Sequence, residues 1–168
     1  MTRAYICVGS NIEPRLDYIR QAGKGLSRLP GQVVAWSSVY DTEAVGYPIQ
    51  PAFLNAVAVL ETPSSPEELL EQLQRLEQEA HKQEEFRWGP RTLDLDLLLA
   101  GTEIRQVSRL ALPHPRMHER GFVLRPLCEV DPQAVHPVLN KTAAELLRAL
   151  PQPQPRVEKV AGPEDWKA

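Results

Sequence analysis

The order of the apolar segments predicts an α+β fold, in which helices pack on an antiparallel β-sheet. Strand-like and helix-like segments follow one another as β-α-β-β-α-β. The two middle strands are joined by a loop rather than by a helix, which favours antiparallel pairing. This order is the split βαβ arrangement of ferredoxin-like sheets, which carry their helices on one face. The 168 residues are enough for one such domain with its own core.

The first half of the chain supplies three strands and one helix. "AYICVGS" (4–10) is a largely buried strand, and the segment 13–29 has its apolar residues loosely on one helical face. "QVVAWSSVYDT" (32–42) is rich in residues that favour strands and predicts one continuous strand. The Gly and Pro of residues 43–52 predict an irregular loop, and "FLNAVAVLET" (53–62) predicts the third strand.

The second half contains the most regular helix. In "SPEELLEQLQRLEQEAHK" (65–82), Ser65 is placed to cap the helix and Pro66 to occupy its first position. A polar loop then leads to a fourth strand, "TLDLDLLLA" (92–100). Residues 113–132 predict a short helix among loops, and "TAAELLRAL" (142–150) predicts a last short helix.

The domain organisation predicted is a single domain over residues 1–150, followed by a C-terminal tail over residues 151–168. The tail contains too many prolines to continue a helix, so we expect it to be extended. We expect a helical and extended C-terminal extension of the sheet domain, and a monomer.

The composition excludes several classes of function. A formal net charge of −3 and a pI of about 5.8 argue against a protein that holds long nucleic acids by their phosphates, although small anionic ligands stay possible. Cys7 and Cys128 form no C-x-x-C pair, so neither a disulfide framework nor a zinc site is indicated. The sequence shows no signal peptide and no apolar stretch of membrane-spanning length, so we expect a cytoplasmic protein with no membrane partner.

Two aspartates lie in the fourth strand, where Asp94 and Asp96 alternate with Leu93, Leu95 and Leu97. Side chains two residues apart share a face of a strand, so the carboxylates should lie about 7 Å apart on one face. Such a pair can hold Mg²⁺, which prefers oxygen ligands and completes its shell with water and phosphates. A solvent-facing acidic edge of the sheet is an equally simple interpretation of Asp-x-Asp alone.

Basic residues near the aspartates favour the metal-binding interpretation. Arg87 and Arg91 flank "WGP", and "RLALPHPRMHER" (109–120) adds three arginines and two histidines. A metal ion together with arginines is the usual equipment for phosphoryl transfer, whereas plain salt bridges are the alternative. The chain has no glycine-rich phosphate loop of the G-x-x-x-x-G-K-[ST] kind. The nucleotidyltransferase pattern is disfavoured, because its Gly-Ser would lie far upstream of Asp94.

Five motifs, in this order along the chain, resemble the 6-hydroxymethyl-7,8-dihydropterin pyrophosphokinase family of folate biosynthesis. They are "GSNIEPR", "SSVYDTEAVG", "FLNAVAVLET", "RWGPRTLDLDLLLAG" and "LPHPRMHERGFVLRPLCEVDP". The resemblance implies transfer of pyrophosphate from ATP to the hydroxymethyl group of the dihydropterin, with release of AMP. It also implies two Mg²⁺ ions bound by Asp94 and Asp96.

The resemblance implies roles for further residues. The pterin ring would lie between Phe53 and Phe122, with Trp88 closing over it, and its polar edge would meet Thr42, Asn55 and the backbone near Val45. Lys82 and Arg91 would be catalytic together with the aspartates. ATP would contact Gln74, Glu77, Arg87, Arg109, His114 and Arg120. Without the resemblance, each Phe would be ordinary core, and Gln74 and Glu77 would be a solvated helix face.

The segment "HKQEEF" (81–86) departs from the family pattern, because Lys82 stands where an arginine is common and acidic residues follow it. Lysine lacks the bidentate fork of arginine. A catalytically weakened ATP- or pterin-binding relative is therefore a second hypothesis. A third is a ferredoxin-like module that binds RNA on its sheet, which the acidic pI and the lack of paired aromatic motifs disfavour.

Overall fold

The computed structural model describes residues 1–44, 51–81 and 93–168. These residues form strands, four α-helices and two short 3-10 helices, at Met117–Glu119 and Pro163–Asp165. The α-helices are α1 (Arg15–Ser27), α2 (Pro66–His81), α3 (Gly121–Val130) and α4 (Ala143–Arg148). The strands are β1 (Thr2–Ser10), β2 (Gln32–Trp36), β3 (Val39–Thr42), β4 (Phe53–Thr62), β5 (Asp94–Ala100), β6 (Arg105–Val107), β7 (Leu110–Leu112), β8 (Val135–His136), β9 (Lys141–Thr142) and β10 (Val157–Ala161).

One antiparallel sheet organises the molecule. Its strands lie in the order β10-β3-β4-β1-β5, and β2 pairs with β4 beside β3. β6 with β7, and β8 with β9, form two separate small hairpins. The predicted β-α-β-β-α-β order and the α+β class are confirmed, with β10 added at one edge.

The strand predicted over residues 32–42 is broken in the structure, and the continuous strand was wrong. β2 ends at Trp36 and β3 begins at Val39, although both pair with β4. At the break, the Ser37 hydroxyl accepts a hydrogen bond from the backbone N–H of Val57 at 2.8 Å and donates to the Ser38 carbonyl at 2.7 Å. The serine hydroxyl thus takes the place of one ladder bond, while the Ser37 N–H still donates to the Val57 carbonyl at 2.9 Å, so the buried backbone groups stay satisfied.

Alternate residues of β1 enter two different cores. Ile6 and Val8 belong to the core under α1 and α2, and Tyr5 and Cys7 to the core under α3 and α4. The first pair of helices corresponds to the predicted ferredoxin-like unit. The second pair, from the C-terminal extension, covers the opposite face of the sheet, because β1, β4 and β5 present apolar side chains to both faces.

The predicted start of α2 is confirmed. The Glu68 N–H donates to the Ser65 hydroxyl at 3.1 Å, and the Ser65 N–H donates to a Glu68 carboxylate oxygen at 3.0 Å. This reciprocal pair is a capping box, which satisfies two backbone donors at the helix start. No helix within residues 1–44, 51–81 and 93–168 combines the length and the apolar character needed to cross a bilayer.

The C-terminal segment is extended over β10, and it is also part of the sheet. Val157 pairs with Thr42 of β3, so β10 forms the edge strand. Trp166 is only 2% exposed, and its ring meets that of Trp36 edge-on at 4.8 Å. Residues 151–168 therefore contribute to the first core, which the proline content alone did not indicate.

Candidate active site

A cavity of about 650 Å³ opens at one end of the sheet, on the face covered by α3. Its floor consists of residues from three neighbouring strands. Gly9 of β1 lies between Asn55 of β4 and Asp94 of β5, and Cys7 pairs with Asp96. Because β1 lies between β4 and β5, this register places residues from distant parts of the sequence side by side.

Two further walls complete the cavity. One wall contains Arg116, Glu119 and the start of α3, where Arg120, Gly121 and Phe122 follow one another. The other consists of residues 42–44, at the end of β3, and residues 154–157, at the start of β10.

Asp94 and Asp96 face this cavity, as strand parity predicts. Leu93, Leu95 and Leu97 are buried in the first core, whereas both aspartates are half-buried and line the cavity. The charge of the pair affects its neighbours. Burial raises the pKa of the Cys7 thiol, and the negative charges of Asp96 and Asp94 raise it further.

Glu77 of α2 lies directly behind the aspartates. Its carboxylate accepts a hydrogen bond from the Leu95 N–H at 2.8 Å. The pKa of Glu77 is raised to about 7, first because the carboxyl group is buried and then because Asp94 and Asp96 are close. Without the family resemblance, Glu77 is predicted to lie on a solvated helix face. In the structure it is half-buried, and its carboxylate is hydrogen-bonded to the backbone of β5.

The aspartates suit a magnesium ion better than a metal held by protein groups alone. Among the described residues, no three His, Cys, Asp or Glu side chains are grouped as ligands of one ion. Mg²⁺ typically takes one or two carboxylates and fills its remaining positions with water and substrate phosphates. Asp94 and Asp96 match this coordination, because they are two carboxylates that face a cavity with space for water and phosphates.

Thr42 and Asn55 form a hydrogen-bonded pair on the floor. The Asn55 amide donates to the Thr42 hydroxyl at 2.6 Å. Both residues are buried, yet both line the cavity. Gly9 makes room for them, since a Cβ atom at Gly9 would lie 2.7 Å from the Asn55 amide oxygen. The structure therefore brings together two of the predicted pterin-binding residues and fixes their orientation.

Phe53 and Phe122 line the cavity from β4 and α3. Both side chains are half-buried rather than fully buried, which distinguishes them from ordinary core residues. The Arg120 guanidinium lies 5.5 Å from the centre of the Phe122 ring, a cation–π distance. Two aromatic rings on separate elements are thus available to a flat ligand.

Comparison with known proteins identifies the family. The sequence model of the 7,8-dihydro-6-hydroxymethylpterin-pyrophosphokinase (HPPK) family matches residues 5–132. The chain belongs to this family. Two bacterial relatives carry the name 2-amino-4-hydroxy-6-hydroxymethyldihydropteridine pyrophosphokinase. The Bacillus subtilis protein is 47% identical over 131 residues, which cover 77% of this chain and 78% of that protein. The Haemophilus influenzae protein is 45% identical over 138 residues, which cover 82% and 86%.

The fold agrees with solved HPPK structures. A crystal structure of Plasmodium falciparum HPPK-DHPS matches with a TM-score of 0.69 at 14% identity, over 88% of this chain. The match covers 45% of that fused chain, so this chain spans less than half of its length. The predicted family resemblance is confirmed, and the enzyme is a pyrophosphokinase.

Other residues that the HPPK resemblance singled out lie outside the cavity lining. His114 donates its backbone N–H to the Leu98 carbonyl at 2.9 Å. Burial lowers the pKa of His114, the charge of Arg120 lowers it further, and Asp94 opposes them, so this imidazole lies within electrostatic reach of the site. Arg109 is exposed in the turn between β6 and β7, and Gln74 is exposed on α2.

Several predicted HPPK residues lie outside the described residues, namely Val45, Lys82, Arg87, Trp88 and Arg91. The altered segment around Lys82 belongs to this group as well. The roles that the resemblance implies for them stay predictions.

The structure also adds residues that sequence reasoning missed. Cys7 and Gly9 lie on the same face of β1, in an apolar stretch of sequence that gives no sign of a site. Only the pairing of β1 with β5 shows that they lie beside Asp96 and Asp94. Arg116 was noted within the basic cluster, and it does line the cavity of this HPPK. Residues 154–157 carry no motif, and only the path of β10 brings them there.

Proposed function

We propose that the chain transfers pyrophosphate from ATP to the hydroxymethyl group of 6-hydroxymethyl-7,8-dihydropterin and releases AMP. The hydroxymethyl oxygen would form a bond to the β-phosphorus of ATP, while the bond from that phosphorus to the oxygen of the departing AMP breaks. One observation carries the proposal: Asp94 and Asp96 face the same cavity as Phe53 and Phe122. Carboxylates for a metal–triphosphate and rings for a flat heterocycle therefore meet in one site.

The aspartates would hold two Mg²⁺ ions, which supply positive charge to the triphosphate when they are bound. The chain's own part is to present both carboxylates from a rigid, buried strand. Glu77 keeps that strand in place through its hydrogen bond to the Leu95 N–H. Positioning of this kind is the main contribution of a protein to phosphoryl transfer.

The dihydropterin would stack between Phe53 and Phe122, with its polar edge towards Asn55 and Thr42. Stacking provides contact area, whereas the buried amide and hydroxyl discriminate against rings that cannot pair with them. The Thr42–Asn55 hydrogen bond of 2.6 Å fixes the amide before the substrate binds.

The phosphates would lie on the α3 side of the aspartates. Arg116 and Arg120 line this part of the cavity, and guanidinium groups match phosphate oxygens. His114 lies near this group, because the charge of Arg120 contributes to the lowered pKa of its imidazole. We keep Gln74, Glu77, Arg87, Arg109, His114 and Arg120 as proposed ATP contacts, and Lys82 and Arg91 as proposed catalytic residues.

The experiment is an assay for AMP with Mg²⁺, ATP and 6-hydroxymethyl-7,8-dihydropterin. We expect AMP and pyrophosphorylated pterin in equal amounts. Asp96→Asn should lower kcat about 10³-fold, because removal of a metal ligand loses several kcal/mol of charge stabilisation. Asp17→Asn, at an exposed acid of α1, is the matched control and should leave kcat unchanged.

Three results would argue against this function. ADP as the nucleotide product would indicate ordinary kinase chemistry, and full activity of Asp96→Asn would remove the proposed metal ligand. Tight binding of ATP without any AMP would favour the catalytically weakened relative instead.

A further inference from the structure

Residues 154–157, which lead into β10 and belong to one wall of the cavity, also reach the other wall. On the β3 side, Val157 pairs with Thr42, and the Glu43 N–H donates to the Arg156 carbonyl at 3.0 Å. This bond continues the strand pairing beyond the end of β3. The backbone next to Thr42, a proposed pterin contact, is therefore held by the C-terminal segment.

The same segment contacts the opposite wall at Gly121, the first residue of α3. From a Cβ atom placed at Gly121, the Gln154 amide oxygen would lie at 3.5 Å and a Val157 methyl at 4.0 Å. Phe122 follows Gly121 directly. Residues 154–157 thus span the distance between the hydrogen-bonding wall and an aromatic wall of the same pocket.

An ion pair locks this arrangement from the side. An Arg156 guanidinium nitrogen lies 2.9 Å from one Asp41 carboxylate oxygen, and Arg15 lies 3.2 Å from the other. The side chain of Asp41 is only 19% exposed, whereas that of Arg156 is 48% exposed. Arg15 also donates to the Ala52 carbonyl at 3.1 Å, next to Phe53. Asp41 therefore connects Arg156 of the C-terminal segment to Arg15. Arg15 is in turn bonded to the Ala52 backbone, directly before β4.

The far end of the segment is firmly attached, so β10 can act as a fixed support. The Trp166 indole N–H donates to the Ser37 carbonyl at 2.8 Å, and Arg20 donates to the Asp165 carbonyl at 2.8 Å. Because Trp166 is buried, the segment that follows Arg156 is anchored to the sheet domain at its far end.

We propose that Arg156 is a positioning residue for the dihydropterin: through Asp41 it holds the end of β3 against β10 and so sets the width of the pterin pocket. The inference rests on the proposed function. It assigns to the C-terminal segment a part in substrate recognition. The ATP side of the cavity, at Asp94 and Asp96, is built by β5 and does not depend on this ion pair.

The test compares Arg156→Ala with the wild type and with Arg148→Ala, an exposed arginine of α4 outside the cavity. Calorimetry measures the Kd of 6-hydroxymethylpterin in the presence of Mg²⁺ and a non-hydrolysable ATP analogue, and separately the Kd of the analogue. We expect Arg156→Ala to raise the pterin Kd about tenfold, or 1.4 kcal/mol, with less than a twofold change for the analogue. Arg156→Lys should restore most of the pterin affinity, and Arg148→Ala should change neither Kd.

A second variant tests the route through Asp41. In an Asp41→Asn background, the further change Arg156→Ala should alter the pterin Kd less than twofold, because the partner is already lost. The melting temperature of Arg156→Ala should lie close to that of the wild type, since partly exposed ion pairs contribute little to stability. Equal losses of pterin and nucleotide affinity, or an unchanged pterin Kd in Arg156→Ala, would overturn the inference. Failure of the proposed function is seen separately, as wild-type protein that binds no pterin.

Discussion

At the scale of single residues, Gly9 carries a clear prediction. A Cβ atom at this position would lie 2.7 Å from the Asn55 amide oxygen, so Gly9→Ala must displace that side chain. We expect the KM for the dihydropterin to rise at least tenfold, while the KM for ATP changes little. Steady-state kinetics with each substrate varied in turn measure both values.

Gly121→Ala is the matched control, because it adds the same methyl group to the same cavity. Its nearest neighbour would lie at 3.5 Å, an ordinary contact distance. If both variants behave alike, the orientation of Asn55 is not what the glycine protects.

Some residues of the site could be predicted from the sequence, and others could not. Strand parity was enough to place Asp94 and Asp96 opposite the buried leucines, because parity is a local property of the chain. Cys7 and Gly9 could not be found in this way. They reach the site through the pairing of β1 with β5, which joins residues almost ninety positions apart in sequence.

At the scale of elements, the β8–β9 hairpin contains a buried histidine that should respond to pH. The His136 Nδ1 atom accepts hydrogen bonds from the N–H groups of Val138 at 3.3 Å and Leu139 at 3.1 Å. Burial lowers the pKa of His136, and the neighbouring His118 lowers it further. The proton therefore prefers the unfolded chain, so the free energy of unfolding should fall as the pH drops below about 6.5, the ordinary histidine value.

Urea unfolding at pH 7.5 and at pH 5.5 measures this effect. His136→Asn keeps an acceptor for the turn but does not titrate, so its loss of stability between the two pH values should be smaller than that of the wild type. His114, whose pKa is also lowered, should contribute a loss of stability in both proteins. An identical pH dependence in both proteins would show that folding does not lower the pKa of His136, contrary to this account.

Elements differed in how far the sequence determined them. α2 was predictable in detail because its cap, its first proline and its leucine stripe are all local signals. The break between β2 and β3 was not, since Ser37 and Ser38 are acceptable strand residues and the interruption is stabilised by Val57 of β4. β10 was hidden by the prolines before it and depends on a partner strand more than a hundred residues away.

At the scale of the whole molecule, Trp166 joins the C-terminal segment to the first core. Replacement of a buried tryptophan by alanine typically costs about 3–5 kcal/mol. We expect Trp166→Ala to lower the free energy of unfolding by about that amount, as measured by urea denaturation followed by far-UV circular dichroism. A loss below about 1 kcal/mol would mean that the segment adds nothing to the cooperative unit.

Trp166→Phe separates packing from hydrogen bonding. It retains most of the ring volume and loses only the bond to the Ser37 carbonyl, so the expected loss is about 1–2 kcal/mol. Pterin affinity should fall in Trp166→Ala together with stability, which distinguishes this variant from Arg156→Ala.

The late position of β10 in the chain has a consequence for synthesis. A polypeptide emerges from the ribosome N-terminus first, and β1, β4 and β5 can assemble early. The pocket wall formed by residues 154–157 exists only after these residues, and the Trp166 that secures them, have been made. A growing chain can therefore acquire its aspartate pair and most of its sheet before the proposed pterin pocket is complete. Under the proposed function, dihydropterin recognition is gained later in synthesis than the pair of carboxylates on β5.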